Sequence, residues 1–288
     1  MNLTELLKKA NKSEILSDKV MLGRIIHVIH NPDASVMELK KTIDMDPSLT
    51  ANILKRANSA YYGISRKVSD IMDAIILIGL DGIRELALNQ KVFEMFKRKT
   101  QRSTGYHRSS LWIHCVGIAL CGKMLYRREL KKPGHDIYTA GLLHDIGIIV
   151  LEQFLNGDFP KIIETVTNGI ANQKTAERNL LGFSHDEVGQ KLLENWNFPE
   201  FICAAAGAAE NPEEFPQRNA MADALYISHY ACQKRGIGYV EIPFIDEEIY
   251  QRCLDRLYLN EQSVDVLMDD VALKIQRMNQ DGWFNHHE

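Results

Sequence analysis

The sequence predicts an all-α protein folded as a compact many-helix bundle. Three observations carry this expectation. Apolar residues recur at helical spacing, as at Leu111, Cys115, Ile118 and Leu125 and again at Leu254 and Leu257. Ser35 with Glu38 and Ser184 with Glu187 fit the capping-box pattern, in which each end residue satisfies an orphan backbone donor. Strand-like alternation is confined to Ile237 to Ile245, which reads better as a connector. The 288 residues, 45% hydrophobic and 25% charged, have the composition of a soluble globular chain with one large domain or two modest ones.

Taken in order, the chain opens with a charged amphipathic helix in residues 1–16, which lacks the apolar core of a signal peptide. A helical lobe is expected over 17–103. Within it Asp46 can cap a helix whose first residue is Pro47. That helix should end near Asn58 and Ser59, and a turn then carries Tyr61 and Tyr62 to Gly63. A further run, Ser69 to Leu80, packs on this corner. The corner has two readings. In one, Asn58 bonds backbone groups in a structural helix-turn-helix. In the other, Asn58, Ser59, Tyr61 and Tyr62 face a protein partner. A DNA-binding reading is weak, because only Lys55, Arg56, Arg66 and Lys67 lie close by and no basic recognition helix follows.

Lys97 to Arg108, basic and polar, marks the joint to a second lobe over 104–235. The extension 236–288 should hold acidic amphipathic helices at Asp246 to Arg256 and Ser263 to Asn279. The eight prolines sit mostly at helix starts or breaks. The basic runs Lys97 to Lys99 with Arg102 and Arg108, and Arg127-Arg128 with Lys131-Lys132, read as solvated loops or a weak site for an acidic ligand. A net charge of -4 gives no pull toward nucleic acid or an anionic membrane. No uninterrupted apolar stretch reaches the roughly 20 residues that span a bilayer. Cysteines at 115, 121, 203, 232 and 253 are odd in number and form no Cys-x-x-Cys pair, which points to a reduced, cytoplasmic setting.

The chemistry concentrates between Tyr138 and Glu152. There His144 and Asp145 lie side by side in an apolar helical run, a costly placement unless they are paired or bound to a metal. Gly147 is expected to end that helix in a left-handed conformation. His114 lies in a long helix, His185 follows Ser184 at a helix start, and Asp223 lies on a helix with apolar neighbours. His229, six residues beyond Asp223, should point away from it. Such His–carboxylate sets on facing helices build metal sites in bundle cores. Their ligand types suit Mn, Fe, Zn or Mg. The bland alternatives are a hydrogen-bonded core His114, a His185 that serves a helix N-terminus, and an Asp223 that accepts hydrogen bonds.

Gly141-Leu-Leu-His-Asp-Ile-Gly147, with the order His114, His144-Asp145, Asp223, resembles the HD superfamily of metal-dependent phosphohydrolases. Asp46-Pro-Ser-Leu-Thr50 and Ala57-Asn-Ser-Ala-Tyr-Tyr-Gly63 narrow the resemblance to the HDOD family, the HD-related output domains of bacterial signalling proteins. Ala74 to Gly79, Leu111 to His114, Gly182 to His185 and Leu192 to Pro199 extend it over roughly residues 17 to 235. The resemblance implies an HD-domain-like core in which His114, His144, Asp145 and Asp223 hold one divalent ion. His185 matches a further histidine common in the family. The chain departs from the family beyond Pro199, where relatives often carry a His-His pair about ten residues on. Here Ala208 and Ala209 stand instead, followed by Glu210. Two ligands for a second metal or a substrate phosphate are therefore absent. The family also implies partners among signalling proteins, including cyclic-dinucleotide enzymes. Two functions stay open: a non-catalytic regulatory module, and a mononuclear metal-dependent phosphohydrolase acting on a nucleotide or other phosphoester, with His185 as its proton carrier.

Overall fold

The computed structural model describes residues 1–13, 19–31, 33–97, 107–214, 219–238 and 246–284, without the side chains of 19 and 20. Every regular element among them is helical, as expected. The first six α-helices are α1 (Leu3–Lys12), α2 (Lys19–His30), α3 (Val36–Asp44), α4 (Pro47–Ala57), α5 (Ile71–Ile78) and α6 (Leu80–Phe96). Then come α7 (Arg108–Met124), α8 (His135–Leu143), α9 (Ile146–Phe154), α10 (Phe159–Thr167) and α11 (Gln173–Leu181). The last are α12 (His185–Asn195), α13 (Glu200–Gly207), α14 (Ala220–Lys234), α15 (Glu247–Leu257) and α16 (Glu261–Gln280). The joint at 98–106, most of the connector ending at Ile245, and Pro32, Pro216 and Pro243 lie outside the described residues, as do the basic residues Arg98, Lys99 and Arg102.

The chain forms two compact units, and their bounds differ from the linear division into terminal helix, two lobes and extension. One unit joins residues 1–13 to 96–275; the other joins 14–95 to 276–288. Long-range packing explains the grouping in the first unit. α1 buries Leu6 and Ala10 and packs on α9 and α12, while α15 packs on α14.

In the first unit α7 lies along α8, and a Cβ at Gly141 would come within 2.8 Å of the Ala119 Cα. Bare backbone is what lets these helices approach so closely. Arg108–Glu129 and His135–Phe154 are long and apolar enough to cross a membrane by composition. Yet 78% and 83% of their apolar windows is buried inside the protein, so they read as core helices. The second basic run is tied down locally. Arg128 pairs with Asp270, and the Lys131 Nζ donates to the Arg128 carbonyl at 2.6 Å.

In the second unit local sequence signals hold well. Ser35 and Glu38 form the reciprocal capping box. Asp46 caps α4 by accepting from the Leu49 N–H at 3.0 Å, with Pro47 in the first turn. Asn58 takes the structural role. Its amide donates to the carbonyls of Leu54 (2.7 Å) and Val68 (2.9 Å) and accepts from the Val68 N–H (2.8 Å), pinning the corner shut. The Ser184–Glu187 box in the first unit is not formed. The Ser184 hydroxyl faces the Asp186 and Glu187 carboxylates, and Asp186 takes over by accepting from the Glu187 N–H at 2.9 Å.

Asp46 also lies 2.5 Å from the buried Lys91 Nζ, which reaches Glu94 at 2.9 Å as well. Burial raises the Asp46 carboxyl, but Lys91 and the helix N–H groups outweigh it and hold the carboxyl below its ordinary 3.8. Its stabilisation is therefore complete above that value and fades as pH falls through the lower folded one. Asp46→Asn should keep the cap and lose only the ion pair. Asp46→Ala should lose about 1 kcal/mol more in urea unfolding at neutral pH. Equal losses would remove the cap from the account.

Candidate metal centre

The centre begins with a break in a helix. α8 ends at Leu143, α9 starts at Ile146, and His144 and Asp145 form the turn between them. An Asp at a helix start ordinarily caps it. Asp145 makes no such bond, and its carboxylate faces a group of imidazoles instead. Its Oδ2 lies 3.1 Å from His144 Nε2 and 3.9 Å from His114 Nε2, and its Oδ1 lies 3.7 Å from His185 Nε2.

The break has a second consequence. Gly147 does not end a helix, as the sequence suggested, but sits in the first turn of α9. A Cβ there would fall 1.9 Å from the His185 carbonyl oxygen. The glycine is required for close approach of α9 to α12, which brings His185 to Asp145.

α7 supplies His114 and α14 supplies His229. The rings of His114, His144 and His229 form a triangle with centroid separations of 5.7, 5.6 and 5.0 Å. One ligand nitrogen from each lies within 4.8 Å of the others. His114 Nδ1 lies 3.3 Å from the Ile237 carbonyl and His144 Nδ1 lies 2.8 Å from that of Gly141. A carbonyl only accepts, so both Nδ1 atoms carry hydrogen and both Nε2 lone pairs are left for another partner. His144 Nε2 is buried and, although Asp145 Oδ2 lies 3.1 Å away, makes no well-aligned hydrogen bond among the described residues. Gln233 lies 3.2 Å from His229 Nε2 and orients that ring. This donor set fits a divalent cation: tied imidazoles, an orphaned nitrogen and an adjacent carboxylate.

Electrostatics prepares the same atoms. Burial lowers His114 to about 4 against the pull of Asp145, and lowers His229 well below its usual value with help from the neighbouring histidines, so both are neutral at pH 7. Burial would raise the Asp145 carboxyl, but His144, His185 and His114 hold it far below the usual range. His144 would be lowered by burial, yet the Asp145 charge and the Gly141 carbonyl raise it. Cys115 also borders the pair, but burial pushes its thiol far up and keeps it neutral.

Asp223, expected among the ligands, is placed elsewhere. Arg256 clamps its carboxylate at 2.7 and 3.1 Å. Asp223 contacts Arg256, whereas His229 is the residue of α14 that meets His114 and His144. His185 stands at the edge, flanked by two glutamates that sequence reasoning missed. Its Nδ1 lies 2.7 Å from the fully buried Glu177, and its Nε2 lies 3.2 Å from Glu210. Burial would lower His185, but Glu177 and Glu210 raise it well above the ordinary imidazole value. Nothing in the polar run Gln173 to Leu181 marks Glu177 as the residue that turns inward. Glu210 did carry a signal, as the first charged residue after the small run Ala204 to Ala209.

The fold and site define an all-helical protein with a buried His/Asp centre that could hold a metal ion. The HDOD domain family profile matches residues 16–212, and the chain belongs to that family. Among solved structures, an HDOD domain protein of unknown function from Geobacter sulfurreducens is 26% identical with a TM-score of 0.79, covering 96% of each chain. A candidate signal transduction protein from Marinobacter aquaeolei VT8 is 25% identical with a TM-score of 0.77, covering 92% of this chain and 58% of that one. A candidate phosphohydrolase from Shewanella amazonensis SB2B shares the fold at 21% identity and a TM-score of 0.70, over 94% and 98% of the two chains. A curated relative, an uncharacterized protein of Treponema pallidum (strain Nichols), is 27% identical over 209 residues; the match spans 67% of this chain and 38% of that protein.

Three predictions follow from this geometry. In titration calorimetry with Mn²⁺, His144→Ala and His229→Ala should each lower affinity at least about tenfold, whereas Asp223→Asn should leave it unchanged. Affinity should fall as pH drops, because a proton competes for His144. An Asp223→Asn loss equal to that of His229→Ala would restore the ligand set read from the sequence. Gly147→Ala should destabilise the protein by about 3 kcal/mol or more in thermal unfolding, because its Cβ meets backbone and not a flexible side chain.

Proposed function

We propose that the chain is a bacterial signalling module of HDOD type that is non-catalytic and acts by binding protein partners. One observation carries this reading. Where the family resemblance implies a His-His pair, Ala208 and Ala209 are 1% and 2% exposed and present only methyl groups. A two-metal hydrolase needs ligands for both ions, which clamp the attacking and leaving oxygens. Burial of the centre supports the same reading, since His114 and His144 are each 1% exposed and Asp145 is 3% exposed. The proposed role of the centre is to hold one divalent ion, of Mn, Fe, Mg or Zn type, as part of the fold. The proposed partners are signalling proteins, with cyclic-dinucleotide enzymes as the class the resemblance implies. A cytoplasmic setting suits the five buried cysteines, none of them in a disulfide.

A second reading, a mononuclear phosphohydrolase, is favoured by His185. It sits beside Asp145, and its flanking glutamates dispose it to hold a proton that it could pass to a leaving group. A bound divalent ion would supply Lewis acidity and an acidified water.

The two readings separate in one assay. The purified protein is loaded in turn with Mn, Fe, Mg and Zn and offered nucleotides, cyclic dinucleotides and simple phosphoesters. No turnover above background is expected. Turnover that vanishes in both His144→Ala and Asp145→Ala overturns the non-catalytic reading.

A further inference from the structure

The corner that the sequence offered as a partner surface is covered by the chain itself. In the second unit the segment after α16 turns back at Gly282, where φ is +70°, with the Trp283 N–H donating to the Met278 carbonyl at 2.9 Å. Trp283 and Phe284 are buried, at 8% and 6% exposure. The Arg56 guanidinium stacks over the Trp283 ring, 4.8 Å from its centroid, and its Nη2 donates to the Trp283 carbonyl at 3.4 Å. Tyr61 meets the same indole at 5.3 Å, and Tyr62 packs edge-on against the Tyr61 ring at 5.0 Å. Burial lowers the Arg56 pKa and the Asp281 charge opposes it, while the covering segment brings an aromatic ring to the arginine.

The fit is incomplete. Among the described residues, Trp283 Nε1, Asp281 Oδ2 and Ser59 Oγ are buried without a hydrogen-bond partner. Each such group is penalised for leaving water, which offsets the gain from the aromatic contacts. The hydrogen bonds that shape the turn are local to the end of α16: Asp281 N–H to Arg277 and Gly282 N–H to Asn279, both at 3.0 Å. The turn can therefore persist whether or not the indole is seated.

We propose that Arg56, Tyr61 and Tyr62 form a docking site for a partner protein's peptide segment carrying a tryptophan, and that Trp283 is its displaceable resident occupant. The chemistry is set by the resident: an indole ring for the arginine and tyrosine faces, and a carbonyl to accept from the guanidinium. The inference rests on the protein-binding reading above, but the two fail separately. Turnover at His144 and Asp145 would leave peptide binding here intact.

The test uses the full chain and the synthetic hexapeptide Asn-Gln-Asp-Gly-Trp-Phe, the sequence of residues 279–284. The peptide should bind Trp283→Ala at least about tenfold tighter than wild type. Adding Arg56→Ala to that variant should abolish the binding, as should replacing the peptide's tryptophan by alanine. Absence of binding to a Trp283→Ala protein that still unfolds cooperatively overturns the proposal, as does binding that survives Arg56→Ala. Should Trp283→Ala fail to fold, ¹⁹F NMR of the wild type with fluorinated tryptophan decides. The Trp283 signal, assigned by its loss in Trp283→Phe, should shift toward the free-indole position as excess peptide is added. A signal that stays fixed at millimolar peptide overturns the proposal.

Discussion

A carboxylate that stays ionised at 3% exposure must be surrounded by partners, and much of the first unit's packing meets that demand for Asp145. The α8–α9 break aims the carboxylate inward and leaves it free of capping duty. α7 and α14 supply His114 and His229 near it, and Gly147 lets α12 approach closely enough to add His185. The next shell answers the histidines in turn. Carbonyls of Ile237 and Gly141 fix two Nδ1 atoms, Gln233 orients His229, and Glu177 anchors His185. A charge in a poorly polarisable interior thus dictates the positions of residues drawn from His114 to Ile237.

How much of this could be read from the sequence depends on whether a signal is local. Asp46, Ser35 and Asn58 work through bonds to backbone groups within about ten residues, and their roles were legible. His144 and Asp145 were legible as a conflict, two ionisable groups in an apolar run. Ser184 failed because two nearby carboxylates, Asp186 and Glu187, competed for its hydroxyl. Asp223 and His229 show where local reasoning stops. Their spacing sets them apart on α14, but which of them meets the centre depends on what packs there. Arg256, 33 residues further along, claims the aspartate. Gly147 failed for the same reason: the atom that forbids a side chain there belongs to His185, on another helix.

The second unit solves a different problem. Its corner is fixed by neutral hydrogen bonds from one amide, Asn58, which leaves the surface beyond it free of structural duty. Trp283 covers that surface through aromatic and cation–π contacts, leaving polar atoms unpaired. The first unit buries its charged groups among close partners, with His144 Nε2 left for a further one. The second holds a seam where satisfaction is partial, and such seams are where local opening costs least.

The retention of the centre in a module proposed to be non-catalytic still needs a physical reason. Buried ion networks add little stability over well-packed apolar residues, so stability alone does not argue for four histidines and a carboxylate. The ring contacts give the reason. With both Nδ1 hydrogens committed to carbonyls, the Nε2 lone pairs of His114 and His144 face a negative carboxylate, a repulsive arrangement unless a positive charge enters. The raised pKa of His144 is that demand expressed as a proton. A divalent ion would meet it more fully and release the proton on binding. Because the ligands are buried, such an ion could exchange only when the unit opens, so its binding energy would act on the closed fold and not on a substrate. On the proposed reading, the centre tunes how firmly the first unit stays closed.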